Sequence, residues 1–259
     1  MRSTIQLLGY YLSLVFFGAS GLALTVFCCL TGWVPATART ERFFQRLIHR
    51  LFALFVWWGR FIRLMDVRHH GFDRLPPGGG VLVANHPGLM DITFLLARVP
   101  EAVCVFKPAI RRNPVLGAAA RRAGYIGGDG GHELVRRAAE KIAAGHLLVI
   151  FPEGTRTRPG ESVGPCKPGF ILMARRAAAP IQLVRLTWDS NVLVKGRAWW
   201  RLPRLPAHID VTLGPRLLVR AAADPAAAAA EIEAWFRVAP ETAACQPWSP
   251  GFTVLSDQP

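Results

Sequence analysis

A long uncharged segment opens the hydrophobic pattern of the chain. No charged residue occurs from Ile5 to Val34, which as a helix would extend for about 45 Å, enough to cross a bilayer with some tilt. The segment is too long for the apolar core of a signal peptide. Gly18 and Gly21 leave room for a break. The pattern therefore predicts a helical anchor over residues 1–40 that is either transmembrane or re-entrant.

The following segment, residues 41–64, combines a stripe of basic residues with aromatic and aliphatic side chains. At 100° per residue the cationic side chains fall on one face of a helix and the apolar ones fill the remainder, a pattern typical of a helix lying in the membrane interface. An amphipathic helix packed on its own domain is the alternative. The basic residues are Arg42, Arg46, His49, Arg50, Arg60 and Arg63, and the apolar ones are Phe44, Leu47, Leu51, Phe55, Trp58 and Ile62.

Downstream, short apolar runs alternate with helical patterns, as they do in α/β domains. Residues 81–84 and 147–151 are continuous apolar runs with the length of buried strands, and residues 180–187 form a third predicted strand. Residues 132–145 have helical spacing and end at a glycine. Asp224, followed by a proline, is typical of the start of a helix.

These patterns predict one α/β domain, a mixed sheet flanked by helices, behind an N-terminal helical membrane anchor. The chain has 259 residues, of which 51% are hydrophobic, and this is enough to form the core of one such domain. We divide it into the anchor (residues 1–40), an amphipathic interfacial helix (41–64), a catalytic domain (65–239) and a loosely ordered C-terminal tail (240–259).

A histidine and a carboxylate follow the first predicted buried strand. Asn85, His86 and Pro87 come directly after it, and Asp91 lies five positions beyond the histidine. An asparagine cap and a proline suit the start of a helix, which would place His86 at the bend and Asp91 in the second turn. The carboxylate can then hold one imidazole nitrogen and leave the other free to accept a proton. A capped helix start with a surface aspartate is the alternative for this block alone.

A second polar cluster follows the strand predicted at residues 147–151. Glu153, Gly154, Thr155 and Arg156 come within five residues of Phe151, and open α/β sheets bind ligands at the carboxyl ends of their strands. A surface Glu–Arg pair on a turn is the alternative, and such a pair would contribute little. Two polar clusters at two strand ends fit one shared site better.

The two blocks resemble the first and third signatures of the glycerolipid acyltransferase family, typified by 1-acyl-glycerol-3-phosphate acyltransferase. The first signature is N-H-x4-D and the third is F-P-E-G-T-R, and the resemblance covers about residues 65–220. Five connecting segments also resemble the family pattern: Phe106-Lys107-Pro108, residues 113–117, Gly124-Tyr125-Ile126, residues 166–170 and Ala179-Pro180-Ile181.

The resemblance implies the glycerol-phosphate acyltransferase-like fold and acyl transfer from a thioester, acyl-CoA or acyl carrier protein, to a lipid hydroxyl, with N-acyl transfer left open. His86 would be the general base and Asp91 its orienting carboxylate. Glu153, Gly154, Thr155 and Arg156 would position the acceptor, and Lys107 and Lys167 are weaker candidates for contacting phosphate or donor groups. The reaction needs no metal and no further cofactor, because a thioester is already activated.

The chain departs from the family pattern where the second signature normally carries an arginine associated with the acceptor phosphate. Residues 127–131 read Gly-Gly-Asp-Gly-Gly, and the next arginine is Arg136. The acceptor is therefore a lysophospholipid-like molecule or, as the alternative, a phosphate-free lipid of the aryl-polyene or another specialised type. The segment from Val194 to Trp200 also resembles members that serve aryl-polyene lipids.

The net charge and the number of cysteines indicate which partners and which disulfide content to expect. The formal net charge is +14, which favours anionic surfaces such as phospholipid headgroups. A non-enzymatic basic module that binds membrane or nucleic acid is the rival class, although the chain lacks a nucleic-acid motif. The odd number of cysteines, five, argues against a disulfide framework. Basic residues are dense after residue 34, so we expect a cytoplasmic membrane location with the catalytic domain facing the cytoplasm.

Overall fold

The computed structural model describes residues 2–128, 130–243 and 247–255, and within them one mixed sheet forms the centre of the molecule. Its strands are β1 (Met65–His70), β2 (Gly80–Ala84), β3 (Val103–Phe106), β4 (Ile126–Gly127), β5 (Leu147–Ile150), β6 (Ile181–Trp188), β7 (Ala207–Val219) and β8 (Phe252–Leu255). The strand order is β1-β7-β6-β2-β5-β3-β4, and β8 also pairs with β7. The predicted α/β fold with a mixed sheet is confirmed.

Helices cover both faces of this sheet. They are α1 (Arg2–Leu30), α2 (Ala38–Phe61), α3 (Asp91–Leu96), α4 (Gly117–Arg122), α5 (Gly131–Ala143), α6 (Gly169–Arg176), α7 (Pro225–Arg237) and α8 (Pro240–Ala243), with two 3-10 turns at Phe72–Arg74 and Pro108–Arg112. Asp224 caps α7 by accepting a hydrogen bond from the Ala227 N–H at 2.8 Å, as the sequence predicts.

Strand β2 lies in the middle of the sheet and positions the site. It runs parallel to β6 on one side and to β5 on the other, with Val83 opposite Ile150. Leu82 faces one core and Val81 and Val83 face the other, which explains why the strand is apolar at every position. The residues that follow β2 and β5 are therefore neighbours at one edge of the sheet.

Helix α1 is unbroken and lies along the domain instead of projecting away from it. The Tyr10 hydroxyl donates to the Trp199 carbonyl at one end, and Thr25 donates to the Val115 carbonyl at the other. These two contacts are about 22 Å apart along the helix. Gly21 is required for close packing, since a Cβ there would come within 2.2 Å of Val115 Cγ1. The glycines therefore do not break the helix.

Helix α2 packs on its own domain along one face and leaves a second apolar face exposed, and its place in a membrane interface stays a prediction. One face packs on its own domain through Phe44, Ile48 and Phe55. Another face is exposed and apolar, with Phe43, Leu54, Trp57 and Phe61 as its large side chains.

Two members of the predicted cationic stripe are not part of the exposed stripe on this helix. The His49 ring is hydrogen-bonded to the Leu96 carbonyl at 2.7 Å and is partly buried. Arg63 lies beyond the end of α2, which stops at Phe61, and has a positive φ of 57°. The helical stripe therefore comprises Arg42, Arg46, Arg50 and Arg60.

The prediction of a loosely ordered tail is wrong for part of residues 240–259. Residues 252–255 form β8, which pairs antiparallel with β7 from Phe252 opposite Val219 to Leu255 opposite Arg216. Phe252 is buried against the core and packs edge-on against Trp248, with ring centroids 5.3 Å apart. A four-residue run is too short for its strand periodicity to be distinguished from a loop in the sequence.

Candidate active site

His86 and Asp91 form a hydrogen-bonded pair at the carboxyl end of β2. His86 Nδ1 lies 2.8 Å from Asp91 Oδ2, and the same carboxylate oxygen accepts a hydrogen bond from the Gly88 N–H at 2.8 Å. The Asp91 side chain is fully buried, whereas 17% of the His86 side chain is exposed. Asp91 is the first residue of α3, not a member of a second turn. A tight loop therefore connects His86 to Asp91, which lies five positions later.

Asn85 joins strands instead of capping a helix. Its side-chain amide donates to the Leu186 carbonyl and to the Ser162 carbonyl, both at 3.0 Å, and its oxygen accepts from the Leu186 N–H at 2.8 Å. The side chain thus continues the pairing of β2 with β6 beyond the end of β2. The predicted cap is wrong because the asparagine reaches across the sheet rather than forward along the chain.

Glu153 is buried and holds the backbone of His86. One oxygen accepts from the His86 N–H at 3.0 Å and from the Thr157 hydroxyl at 2.7 Å, and the other accepts from the Gly164 N–H at 2.8 Å. Thr157 completes the connection, because its N–H donates to the His86 carbonyl at 2.8 Å. The carboxylate is thus occupied by donors of the protein itself. Sequence reasoning expected Glu153 to face the acceptor and did not single out Thr157.

Two aromatic residues fix the surroundings of the pair. The Phe151 ring stacks on the His86 imidazole, with centroids 4.1 Å apart and planes inclined by 14°. The Trp188 indole lies against Gly88, where a Cβ would come within 2.5 Å of Trp188 Cζ2. Only glycine fits at position 88. Phe151 lies within the F-P-E-G-T-R block. The block alone does not predict which residue the ring stacks on, because that depends on how the strands pair.

Burial raises the pKa of Asp91 above its ordinary value. The hydrogen bonds and charge interaction with His86, followed by the Gly88 N–H, oppose that shift. A buried carboxylate is stabilised most when a cation pairs with it. Asp91 is therefore best stabilised when the imidazole that it holds is positively charged, which is the state that a general base reaches after it accepts a proton.

A basic cavity lies near the His86–Asp91 pair, and Glu153 is one of its lining residues. It encloses about 520 Å³, and its cationic lining residues are Arg156, Arg158, Lys195 and Arg237. Arg156 is fixed in part, because it donates to the Leu193 carbonyl at 2.9 Å. Arg237 is paired with Glu233 at 2.5 Å. We call this feature the basic cavity.

The other predicted site residues divide between the cavity and the surface. Thr155 is exposed and lines the basic cavity. Gly154 has a positive φ of 64°, and the exposed Lys167 amine would lie 3.4 Å from a Cβ at that position. Lys107 is exposed at the start of the Pro108–Arg112 turn and is not among the residues that line the cavity. The structure thus brings Lys167, but not Lys107, to the predicted cluster.

No metal-ligand cluster occurs among the described residues. His69 and His70, which are adjacent in the sequence, contact different partners, the Phe94 carbonyl at 3.0 Å and Asp210 at 2.8 Å. The four cysteines that the structure describes, Cys28, Cys29, Cys104 and Cys166, are unpaired.

Comparison with known proteins identifies the family. The acyltransferase family model matches residues 66–187. A 1-acyl-sn-glycerol-3-phosphate acyltransferase of Helicobacter pylori is 33% identical over 159 residues, which are 57% of this chain and 67% of the relative. The chain belongs to the acyltransferase family. It is therefore an enzyme, and the rival interpretation as a non-enzymatic basic module is wrong.

Two further matches bear on substrate and fold. A lyso-ornithine lipid O-acyltransferase of Pseudomonas aeruginosa is 34% identical over 113 residues, which are 42% of this chain and 43% of the relative. The crystal structure of the 1-acyl-sn-glycerophosphate acyltransferase of Thermotoga maritima superposes with a TM-score of 0.67, covering 90% of this chain and 93% of that one at 21% identity. This acyltransferase therefore shares the fold of that enzyme.

Proposed function

We propose that this acyltransferase moves a fatty acyl group from a thioester, acyl-CoA or acyl carrier protein, to the hydroxyl of a lysophospholipid-like acceptor at a membrane. The observation that carries the proposal is the His86–Asp91 pair. Its hydrogen bond engages Nδ1, so Nε2 is the imidazole nitrogen left to accept the acceptor's proton. The membrane location is supported by α1, whose residues 4–30 are long and apolar enough to cross a bilayer.

In the proposed reaction His86 Nε2 takes the hydroxyl proton while the acceptor oxygen attacks the thioester carbonyl carbon. The Asp91 carboxylate stabilises the resulting imidazolium. When the tetrahedral intermediate collapses, the carbon–sulfur bond breaks and the thiolate takes the proton from His86. The products are an ester and a free thiol, and the histidine is neutral again. No acyl-enzyme is required, since the substrate is already an activated acyl compound.

Contacts within the protein hold His86 in place for this mechanism. Glu153 and Thr157 hold the His86 backbone from both its N–H and its carbonyl, and Asp91 and Phe151 fix the ring. The base is thus positioned before any substrate arrives, a condition under which orientation lowers the barrier of a bimolecular step. In the proposal Glu153 acts as a positioning residue, and Arg156, with Gly154 and Thr155 beside it, faces the acceptor.

The attachment to the membrane is proposed to be within one leaflet. Helix α1 packs along the domain from Trp199 to Val115, so a membrane-crossing α1 would carry the catalytic domain into the bilayer with it. A helix that lies in the interface avoids that cost while its outer apolar face contacts lipid. The dense basic residues after residue 34 support a cytoplasmic catalytic domain.

A phosphate-free acceptor is the second candidate, and two observations favour it. Residues 127–131 lack the family's phosphate-associated arginine, and one relative is named for a lyso-ornithine lipid acceptor. Loss of a guanidinium removes a strong, charge-assisted phosphate contact. Under this candidate, lysophosphatidic acid is a poorer acceptor than a phosphate-free or diester lysolipid.

Transfer to a panel of acceptors in detergent and in bilayers decides between the two candidates. The panel contains lysophosphatidic acid, a lysophosphodiester lipid and a lyso-ornithine lipid, each tested with acyl-CoA and with acyl carrier protein as the donor. Preferred use of lysophosphatidic acid by the wild type overturns the second candidate. A Gly128→Arg variant that gains activity toward the phosphomonoester supports it. Failure of every acceptor with either thioester, by a well-folded protein, contradicts the reaction itself.

A further inference from the structure

The segment after β6 presents two exposed tryptophans that the reaction does not use. Trp199 and Trp200 are 57% and 56% exposed and pack edge-on against each other, with centroids 5.5 Å apart. Residues 191–204, which carry them, are here called the tryptophan loop. Large aromatic side chains are rarely left open to water in pairs without a binding role.

The tryptophan loop is fastened to the membrane helix. The Tyr10 hydroxyl donates to the Trp199 carbonyl at 2.6 Å, and the Tyr11 hydroxyl donates to the Trp200 carbonyl at 2.5 Å. The backbone of the pair therefore lies beside the part of α1 where Leu7, Leu8 and Leu12 are exposed. The exposed indoles and the exposed apolar side chains of α1 thus belong to neighbouring parts of the molecule.

Cationic residues lie close to the pair in the sequence. Arg201 and Arg204 of the same loop are exposed, and Lys195 lies at the rim of the basic cavity. Tryptophan is the residue that prefers the level of the lipid headgroups, and arginine and lysine beside it attract anionic headgroups. The combination of indoles, cations and an adjoining apolar helix matches an anionic bilayer surface better than it matches a protein partner.

The loop also reaches the active site from its other end. The Leu193 carbonyl accepts hydrogen bonds from Arg156 at 2.9 Å and from the Leu89 N–H at 3.3 Å. Leu89 follows the catalytic histidine by three residues and is itself exposed. One loop thus connects a candidate lipid contact to both polar blocks of the site.

We propose that the tryptophan loop is a second bilayer contact, distinct from α1 and α2, which inserts Trp199 and Trp200 among anionic lipid headgroups and places the mouth of the active site at the membrane surface. The proposal rests on the proposed attachment to a membrane but not on the identity of the acceptor. The loop provides the contact on the catalytic side, and α1 provides the apolar anchor.

Depth-sensitive quenching of tryptophan fluorescence tests the contact. Full-length protein is reconstituted into vesicles of phosphatidylcholine and phosphatidylglycerol, with and without bromine on the acyl chains near the headgroup. A Trp199→Phe/Trp200→Phe variant removes the two indoles and keeps apolar rings in their place. We expect the emission that this variant loses to be strongly quenched by the brominated lipid. Equal emission of the pair in both kinds of vesicle overturns the proposal.

A matched control is available in Trp248, which packs against Phe252 on β8. The emission lost in a Trp248→Phe variant is expected to be insensitive to the brominated lipid. Two other indoles report on the anchor, because Trp33 and Trp57 are exposed after α1 and on α2. Quenching of these with no quenching of the loop pair rejects the loop contact alone. If no indole is quenched, both the loop contact and the membrane location fail.

A kinetic measurement separates a lipid contact from a structural role. In a Trp199→Ser/Trp200→Ser variant we expect several-fold higher KM for an acceptor embedded in vesicles, with unchanged kcat and KM for a short-chain acceptor dissolved in water. Equal losses on both acceptors indicate damage to the site and contradict the proposal.

Discussion

The His86–Asp91 pair and the basic cavity lie beside the same sheet edge and differ in how their side chains are held. His86 and Asp91 are hydrogen-bonded to each other, and the Glu153 carboxylate, which holds the His86 backbone, accepts three hydrogen bonds from the protein itself. Of the four cations that line the cavity, Arg158 and Arg237 are exposed, and Arg156 and Lys195 are partly buried. We therefore expect the chemical step to depend on the buried, hydrogen-bonded pair, and the choice of acceptor to depend on the side chains that line the cavity.

The largest expected effect is on the His86–Asp91 pair. We predict that His86→Ala abolishes transfer, and that Asp91→Asn leaves a folded enzyme that is severely slowed, because loss of a general base typically costs on the order of a hundredfold to ten-thousandfold. Purified variants are compared in single-turnover assays with matched thermal unfolding curves. Wild-type turnover by folded His86→Ala protein would rule out the mechanism.

The next effect concerns the brace of the pair. In Glu153→Gln an amide N–H₂ replaces a buried carboxylate oxygen that accepts a hydrogen bond from a backbone N–H. Two donors then face each other, so we expect the free energy of unfolding to fall by about 2 kcal/mol. Since the base is then misplaced, kcat should fall about tenfold or more at a nearly unchanged KM. The control is Glu161→Gln, an exposed carboxylate that also lines the cavity. A higher KM at constant kcat would indicate that Glu153 contacts the acceptor.

A smaller effect is expected in the basic cavity. We predict that Arg158→Gln combined with Lys195→Gln raises KM for a phosphate-bearing substrate about tenfold, or about 1.4 kcal/mol, without changing kcat. Testing acceptor and donor separately shows which substrate's phosphate is bound. Arg176→Gln is the matched control, because Arg176 is an exposed cation at the end of α6. An unchanged KM for every substrate would mean that the cavity does not select by charge.

The smallest effect is on stability in acid and lies outside both regions. Burial lowers the pKa of His69 and of His146 below the ordinary value of 6.5. Below about pH 6.5 the unfolded chain therefore binds more protons than the folded chain. The folded state keeps its full stability above this pH and loses stability below it, by about 1.4 kcal/mol for each unit of pKa shift. Urea unfolding of wild type and His146→Gln at neutral and acid pH measures this. The variant should lose less stability in acid.

Much of the fold was predictable because local patterns determined it. The fully apolar run of β2 and the Asp224 cap of α7 depend on neighbouring residues only. The four-residue β8 was missed, since its pairing with β7 depends on contacts distant in sequence. Of the two alternatives for α2, the structure shows the packing on its own domain, and the exposed aromatic face leaves a place in the membrane interface as a prediction.

The site shows the same division between local and distant determinants. The histidine and carboxylate spacing predicted the His86–Asp91 hydrogen bond correctly, since five residues suffice to fold the loop between them. The inward orientation of Glu153, the stacking of Phe151 and the contribution of Thr157 depend on β2 pairing with β5. Such cross-strand contacts have no signal in a single sequence beyond the residue types themselves.

The position of α1 has a consequence for the way this chain is made. Its first turns bind the backbone of residues that lie 189 positions later, at Trp199 and Trp200. At usual rates of synthesis a ribosome needs about 10 to 40 s to reach them. During that interval α1 is complete, and its partners on α2 and at Val115 follow before the tryptophan loop does. We expect a lipid surface or a chaperone to cover the remaining apolar face of α1 until that loop is made, which would couple early delivery of the nascent chain to a membrane with folding.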